Sequence, residues 1–220
     1  MKNLVSIITP TFNSSIYIEK CIGSVISQTY TNWELILVDD DSTDKTQEII
    51  IKYSRKYKKI KSIILNKNSG IANARNVAIQ NSNGRFIAFL DSDDYWHKDK
   101  LSLQLDFMIQ NNFAFTFTSY QPVSHDEKKK YRIIKAPKKM NYNKYLKNTI
   151  IGCLTVVIDK EKTGKFLMPN INSSQDMALW LNLMKKGFVA YGLKLNLASY
   201  RIVKGSNTSN KFKAIKDVWC

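Results

Sequence analysis

Short apolar runs rich in β-branched residues alternate, over the first 95 positions, with stretches whose apolar residues recur every three or four places. The runs at 5–8, 33–38, 61–65 and 85–90 have the length and continuous hydrophobicity of buried parallel strands. Between the first two, Ile18, Cys21, Ile22, Val25 and Ile26 predict an amphipathic helix over 15–28, capped by Ser14 or Ser15. A second helix, capped by Ser42 or Thr43, runs to about Tyr57. A third opens at Gly70 and ends near Asn81, ahead of the Asn83-Gly84 turn. Strand and helix alternating through short connections predict an α/β chain: a Rossmann-like, mostly parallel central sheet flanked by helices.

Beyond Asp94 the rhythm changes. A helix at about 99–111 precedes an alternating strand at 113–120. The Lys-rich stretch 121–140, punctuated by Pro122 and Pro137, reads as a long excursion or a β-ribbon. A strand at 154–158, a helix at 177–186 with Leu179, Leu183 and Met184 on one face, and a strand at 198–202 follow. The chain thus reads as one continuous domain with two halves, a nucleotide side at 1–112 and a smaller mixed region at 113–220 on the acceptor and catalytic side.

Three of the apolar runs end in polar clusters: Thr9-Pro10-Thr11-Phe12-Asn13, Asp39-Asp40-Asp41-Ser42-Thr43-Asp44 and Asp91-Ser92-Asp93-Asp94. Parallel strands would bring these to one sheet edge, where open α/β sheets bind ligands. Carboxylates gathered there repel one another unless a cation or a hydrogen-bonded ligand offsets them. A metal–nucleotide site meets that need. In the D-x-D at 91–93, one carboxylate can face a hard cation completed by diphosphate oxygens and water, while its neighbour reaches a sugar hydroxyl; the bland reading is an acidic turn capping the next helix.

Capping explains part of the 39–44 cluster too, although a carboxylate there could also accept from a base N–H. Arg75 could be a surface ion pair or a charge partner for diphosphate. Asp176, in Ser174-Gln175-Asp176, could cap a helix or serve as a general base. Arg201 and Lys204 with 205–209 (GSNTS) could cradle phosphate or form a tail. His97 and His125 are isolated. The absence of GxxxxGK[ST], GxGxxG, HExxH and GxSxG argues against P-loop, dinucleotide, zincin and hydrolase chemistry.

At 44% hydrophobic and 24% charged residues over 220 positions, the composition is that of a folded globular chain. Charge is uneven. Residues 1–110 carry 14 Lys and Arg against 12 Asp and Glu, and residues 111–220 carry 20 against 6, so +2 and +14 make up the total of +16. Such a basic half suits an anionic substrate or membrane surface, or is simply a solvated face. Nucleic acid is set aside because no binding motif accompanies the charge. No stretch reaches the roughly 18–20 apolar residues of a membrane span, and the N-terminus reads as a strand rather than a signal peptide. Cys21, Cys153 and Cys220 lack metal-ligand spacing, consistent with a reduced cytosolic protein.

Taken in order, SIITPTFN, QTYTNWELILVDDDSTD, NSGIANARN, GRFIAFLDSDD and SSQDMALWLNL resemble the family 2 inverting glycosyltransferases of the GT-A fold over roughly residues 4–205. The nearer likeness is to bacterial enzymes of surface polysaccharide assembly, such as those of teichuronic acid and O-antigen. That resemblance implies Pro10 and Phe12 framing the nucleotide base, Asp40 bonding it with Asp39 adjacent, and Arg75 near the diphosphate. It implies Asp93 as the ligand of Mn²⁺ or Mg²⁺, with Asp91 beside it toward the ribose or donor sugar. It makes Asp176 the catalytic base and Arg201 part of a loop closing over the diphosphate. Gln175 departs from the Glu of many relatives.

The implied partners are a UDP-sugar and a saccharide acceptor, and the basic second half suits an acceptor carried on a lipid diphosphate. The implied location is the cytoplasm, with peripheral contact at the anionic inner membrane face. Two other classes stay open: a metal-dependent nucleotidyl- or phosphotransferase, and a non-catalytic glycan- or membrane-binding module.

Overall fold

The four N-terminal apolar runs become β1 (Val5–Thr11), β2 (Trp33–Asp39), β3 (Ile60–Ile64) and β4 (Phe86–Phe89). Their linking helices are α1 (Ile18–Ile26), α2 (Thr46–Lys56) and α3 (Ile71–Gln80). The computed structural model describes residues 3–171 and 173–203. After β4 come β5 (Tyr95–Trp96), α4 (Lys100–Gln110), β6 (Phe115–Ser124), β7 (Lys139–Met140), α5 (Tyr142–Lys147), β8 (Val157–Asp159), α6 (Lys160–Thr163), α7 (Gln175–Lys185) and β9 (Ala190–Ile202).

All nine strands join one sheet in the order β3-β2-β1-β4-β8-β6-β9-β5, with β7 paired to β9. The first four pair in parallel. Strand β8 runs antiparallel to both its neighbours, which restores the original direction in β6, and β9 is parallel to β6. Six strands therefore share one direction, and only β5, β7 and β8 oppose it. The sheet crosses residue 112 without a break.

Helices cover both faces, as βαβ crossovers require. One core layer gathers Ile8, Ile36, Val38, Phe89 and Phe115 against α3, α5 and α7, with Trp180 buried at its centre. The other packs Val5, Leu35, Leu37 and Ala88 against α1, α2 and α4. The two layers hold the strand ends, and so the polar clusters, in fixed positions.

Several boundaries differ from expectation for local reasons. Helix α1 starts at Ile18, after a turn in which the Ser14 carbonyl accepts from the N–H groups of Tyr17 and Ile18, and no side chain caps it. The Ser14 hydroxyl is engaged elsewhere, by Phe12 and Ser92. At the start of α2, Asp44, itself a cap candidate of the 39–44 cluster, rather than Ser42 or Thr43, accepts from the Thr46 N–H (2.9 Å). The expected strand at 154–158 is split: 153–155 form a 3-10 turn before β8. Strand β9 begins well before 198, and its pairing slips between Thr118 and Tyr120 of β6. That bulge carries the polar Lys194 and Asn196, which hid the strand's first half. The 121–140 stretch is a ribbon, bridged at Tyr120–Ile134 and Val123–Lys130. Among the described residues no helix is long and apolar enough to cross a membrane.

Candidate active site at the carboxyl edge of the sheet

The first two polar clusters form one bonded unit. Buried Asp39 accepts from the Ser42 N–H and the Gln47 amide at Oδ1 (both 2.9 Å), and from the Thr11 and Ser42 hydroxyls at Oδ2 (2.9 and 2.5 Å). With both oxygens engaged, Asp39 shapes the loop. Asp40 accepts from the N–H of Ser69 at Oδ1 and of Gly70 at Oδ2, both at 2.8 Å, and so anchors the entry to α3. Gly70 stands at φ 88°, a conformation that glycine adopts without Cβ strain. Asn13, Ser14 and Ser15 of the first loop bond to Ser42, Thr46 and Asp44. Pro10 lies inside this unit, and Phe12 is half exposed at its surface.

The third cluster meets α3 and β9. Arg75 donates from Nη2 to Asp91 Oδ1 at 2.6 Å. Burial opposes charge on Arg75, but Asp91 more than offsets it, so the guanidinium is held protonated more firmly than usual. Ser92 shares a hydroxyl bond with Ser14 (2.7 Å), tying the D-x-D turn to the first loop. Burial and then the charge of Asp91 push the Asp93 carboxyl up to about 6. Asp94 rises well above the ordinary range through burial and the charges of Asp93 and Asp91.

Arg201 lies behind this turn. Its N–H donates to Asp94 Oδ1 (2.7 Å), Nε to the Asp93 carbonyl and Nη1 to the His125 carbonyl (both 2.8 Å), and Nη2 pairs with Glu127 (2.8 Å). It is buried and braces the turn from within the protein. Lys204 and 205–209, expected to join it around phosphate, lie outside the described residues, as does Cys220.

Asp176 sits in the first turn of α7, after Ser174 in the left-handed conformation (φ 59°). Ser174 makes no side-chain cap. Burial raises the Asp176 pKa, Arg75 pulls it down, and Asp91 pushes it up again. Asp176 in turn acts on Tyr120, Tyr145 and Cys153. Arg75, Asp91 and Asp176 therefore lie within electrostatic reach of one another. Gln175 donates to the Ile171 carbonyl at 2.8 Å, a bond that an ionised Glu could not make.

Sequence reasoning missed Tyr120 and Cys153, which lie at the ends of apolar runs, and Tyr145, which lies in a polar, Lys-containing stretch. It also missed Asn76, which bonds the backbone of Met168 with both its amide atoms.

Among the described residues no three His, Cys, Asp or Glu side chains form a metal cage. The residues nevertheless fit a hard cation. Asp94 Oδ2 is buried without a partner, and Asp93 is a carboxylate whose charge is disfavoured beside Asp91. A divalent ion held by one or two carboxylates, and completed by phosphate oxygens and water, is typical of Mg²⁺.

The sequence pattern of Glycosyl transferase family 2 matches residues 6–163. The chain belongs to that family. Membership favours a glycosyltransferase over the nucleotidyltransferase and binding-module alternatives. TuaG of Bacillus subtilis, whose name assigns it to teichuronic acid biosynthesis, is 50% identical over 99% of this chain and 86% of its own length. WfgD of Escherichia coli, a UDP-Glc:α-D-GlcNAc-diphosphoundecaprenol β-1,3-glucosyltransferase, is 41% identical over 98% of the chain and 84% of its own.

Among solved structures, residues 1–349 of S. aureus TarS with UDP-GlcNAc superpose with a TM-score of 0.78 at 24% identity, over 96% of this chain and 61% of that one. The mannosyltransferase PcManGT of Pyrobaculum calidifontis, with GDP-Man and Mn²⁺, gives 0.69 at 15%, over 93% of this chain and 59% of that one. The chain spans about three fifths of the length of these solved structures. The shared fold is GT-A.

Proposed function

We propose that this family 2 enzyme moves a sugar, with inversion, from a UDP-sugar to a hydroxyl of a growing, lipid-linked bacterial surface glycan. The observation that carries the reading is the Arg75–Asp91 contact of 2.6 Å, with Asp176 in the field of both. It sets a charge partner for diphosphate within electrostatic reach of a base. The names of TuaG and WfgD support the glycan and the lipid-linked acceptor, and the UDP-GlcNAc complex of TarS supports the donor.

Asp176 takes the proton of the acceptor hydroxyl as that oxygen bonds to the anomeric carbon. The bond from that carbon to the diphosphate oxygen breaks on the opposite face, and UDP leaves with the electron pair. A single displacement inverts the configuration. A raised pKa makes Asp176 a stronger base than an ordinary carboxylate. Arg75 stabilises charge growing on the diphosphate. Asp93, with Asp91, would hold Mn²⁺ or Mg²⁺, which when bound supplies further neutralisation of that charge. Pro10 and Phe12 frame the base with Asp40, while Asp39 and Arg201 keep the surrounding loops in place. The enzyme works at the cytoplasmic face of the membrane, where its basic half meets anionic lipid.

Calorimetric titration with UDP, and with GDP as control, in Mn²⁺ and then in EDTA tests the donor half. Metal-dependent, uracil-selective binding is expected. Binding of neither nucleotide by folded protein would overturn it.

A further inference from the structure

Residues 128–158 contain nine Lys and Arg and no Asp or Glu. A cavity of about 640 Å³, within the range of ligand pockets, opens where this stretch meets β9. Ile133, Pro137 and Ile150 line it, and Lys135, Lys138 and Lys194 stand on its rim. None of these three lysines pairs with a carboxylate among the described residues. All three are exposed.

The cavity is built by specific contacts. The bulge of β9, where Thr118 faces Leu193 but Ser119 faces Asn196, turns Lys194 out onto the rim. On the opposite wall, Gly192 donates its N–H to the Lys138 carbonyl at 3.0 Å. A Cβ at Gly192 would fall 2.0 Å from the Pro137 carbonyl oxygen, so only glycine permits that approach. The Ser119 hydroxyl accepts from the Ala136 N–H at 2.9 Å and fixes the floor. Beside the cavity, Gly152, two residues after Ile150, lies against the Tyr120 ring.

Apolar lining beneath three unpaired ammonium groups is complementary to an amphiphile whose head is a multiply charged phosphate. We propose that this groove binds the diphosphate and the first isoprenoid units of the carrier lipid that bears the acceptor sugar. The inference rests on the lipid-linked acceptor reading above and assigns it a place.

Two measurements separate the two ideas. The first is binding of farnesyl diphosphate to the full chain, the Lys135→Glu/Lys138→Glu/Lys194→Glu variant and a milder triple Lys→Gln variant, with UDP binding as the check on folding. Saturable binding, weakened at least tenfold by the Glu variant and less by the Gln variant, is expected. No saturable binding, or binding matched by inorganic diphosphate or by phosphatidylglycerol vesicles, would overturn the groove. The second is transfer to one saccharide presented on a polyprenyl diphosphate or as a simple alkyl glycoside. The Glu variant is expected to raise KM at least tenfold for the lipid-linked form alone. Equal transfer by variant and parent to the lipid-linked form would sink the groove and leave the reaction standing. Groove-dependent binding with no transfer to either acceptor would sink the reaction reading and leave the groove.

Discussion

Asn76 grips the peptide of Met168 from both sides: its Oδ1 accepts from the Met168 N–H at 2.7 Å and its Nδ2 donates to the Met168 carbonyl at 2.9 Å. The residue before it, Arg75, holds Asp91. One turn of α3 therefore ties the D-x-D turn to the segment leading into α7 and its Asp176.

Asn76→Ala should leave the buried Met168 backbone unsatisfied, lowering stability by about 1–3 kcal/mol, seen as a fall of several degrees in Tm. It should lower kcat more than it alters donor KM, because the base loses its anchor while the nucleotide loops keep theirs. Asn76→Asp should rescue little, since its second oxygen would face the Met168 carbonyl. Steady-state kinetics of the two variants, with thermal melting, checks this.

Asp176→Asn should cut turnover by about 10²–10⁴ while UDP affinity stays unchanged. Because burial raises the Asp176 pKa, its folded form binds a proton more readily than its unfolded form. Stability tied to this group falls as pH rises from the ordinary carboxylate value through the raised one. At neutral pH the ionised base is thus a destabilising element, and Asp176→Asn should raise Tm there, with the gain shrinking in acid. The parent enzyme's kcat should fall in acid as this carboxylate protonates. An unchanged or lowered Tm at neutral pH would contradict the burial argument.

Lys100 is fully buried, donates to Gln104 at 2.8 Å and lies over the Trp96 ring at 4.1 Å. Burial lowers its pKa to about 7. Above that value the unfolded chain holds the proton that the folded chain has lost, so stability should rise with pH from about 7 toward the ordinary lysine range. The slope is at most about 1.4 kcal/mol per pH unit. Urea unfolding at pH 7, 8 and 9 should show this rise in the parent and not in Lys100→Met.

Arg201→Lys should fail to replace the native residue despite keeping its charge. The guanidinium reaches Asp93, His125 and Glu127 from three separate nitrogens, a fork that an ammonium cannot reproduce. We expect lower thermal stability and UDP binding weakened about tenfold, the latter a difference of about 1.4 kcal/mol. Calorimetry and melting of the variant would read both.

Much of this architecture was legible in the chain. The continuous apolar character of β1, β2 and β4 marked them as central strands, and the polar residues following each share one edge of the sheet, as expected. What periodicity could not convey was side-chain direction after a turn. Asp39 and Asp40 read alike, yet Asp39 ties its own loop back to Thr11, 28 positions behind, and Asp40 reaches 29 and 30 positions ahead to Ser69 and Gly70. Arg201 read as a phosphate-cradling or tail residue and is buried behind the D-x-D turn. Strand β9 was half hidden because its bulge brings polar residues into the middle of a strand. In each case a long-range contact decided the outcome, and a local pattern does not record such contacts.

The bond from Arg201 to Asp94 spans 107 positions, which imposes an order on how the molecule can be made. As the chain emerges from the ribosome, the four parallel strands and their helices are complete before residue 112. The D-x-D turn at their edge is then still without its brace. Only when the last residues of β9 are released can Arg201 fix Asp93, Asp94 and the ribbon tip together. Bracing of the D-x-D turn is therefore a late event of synthesis, and a chain stopped short of β9 would carry Asp91, Asp93 and Asp94 yet lack the residue that holds their turn in place.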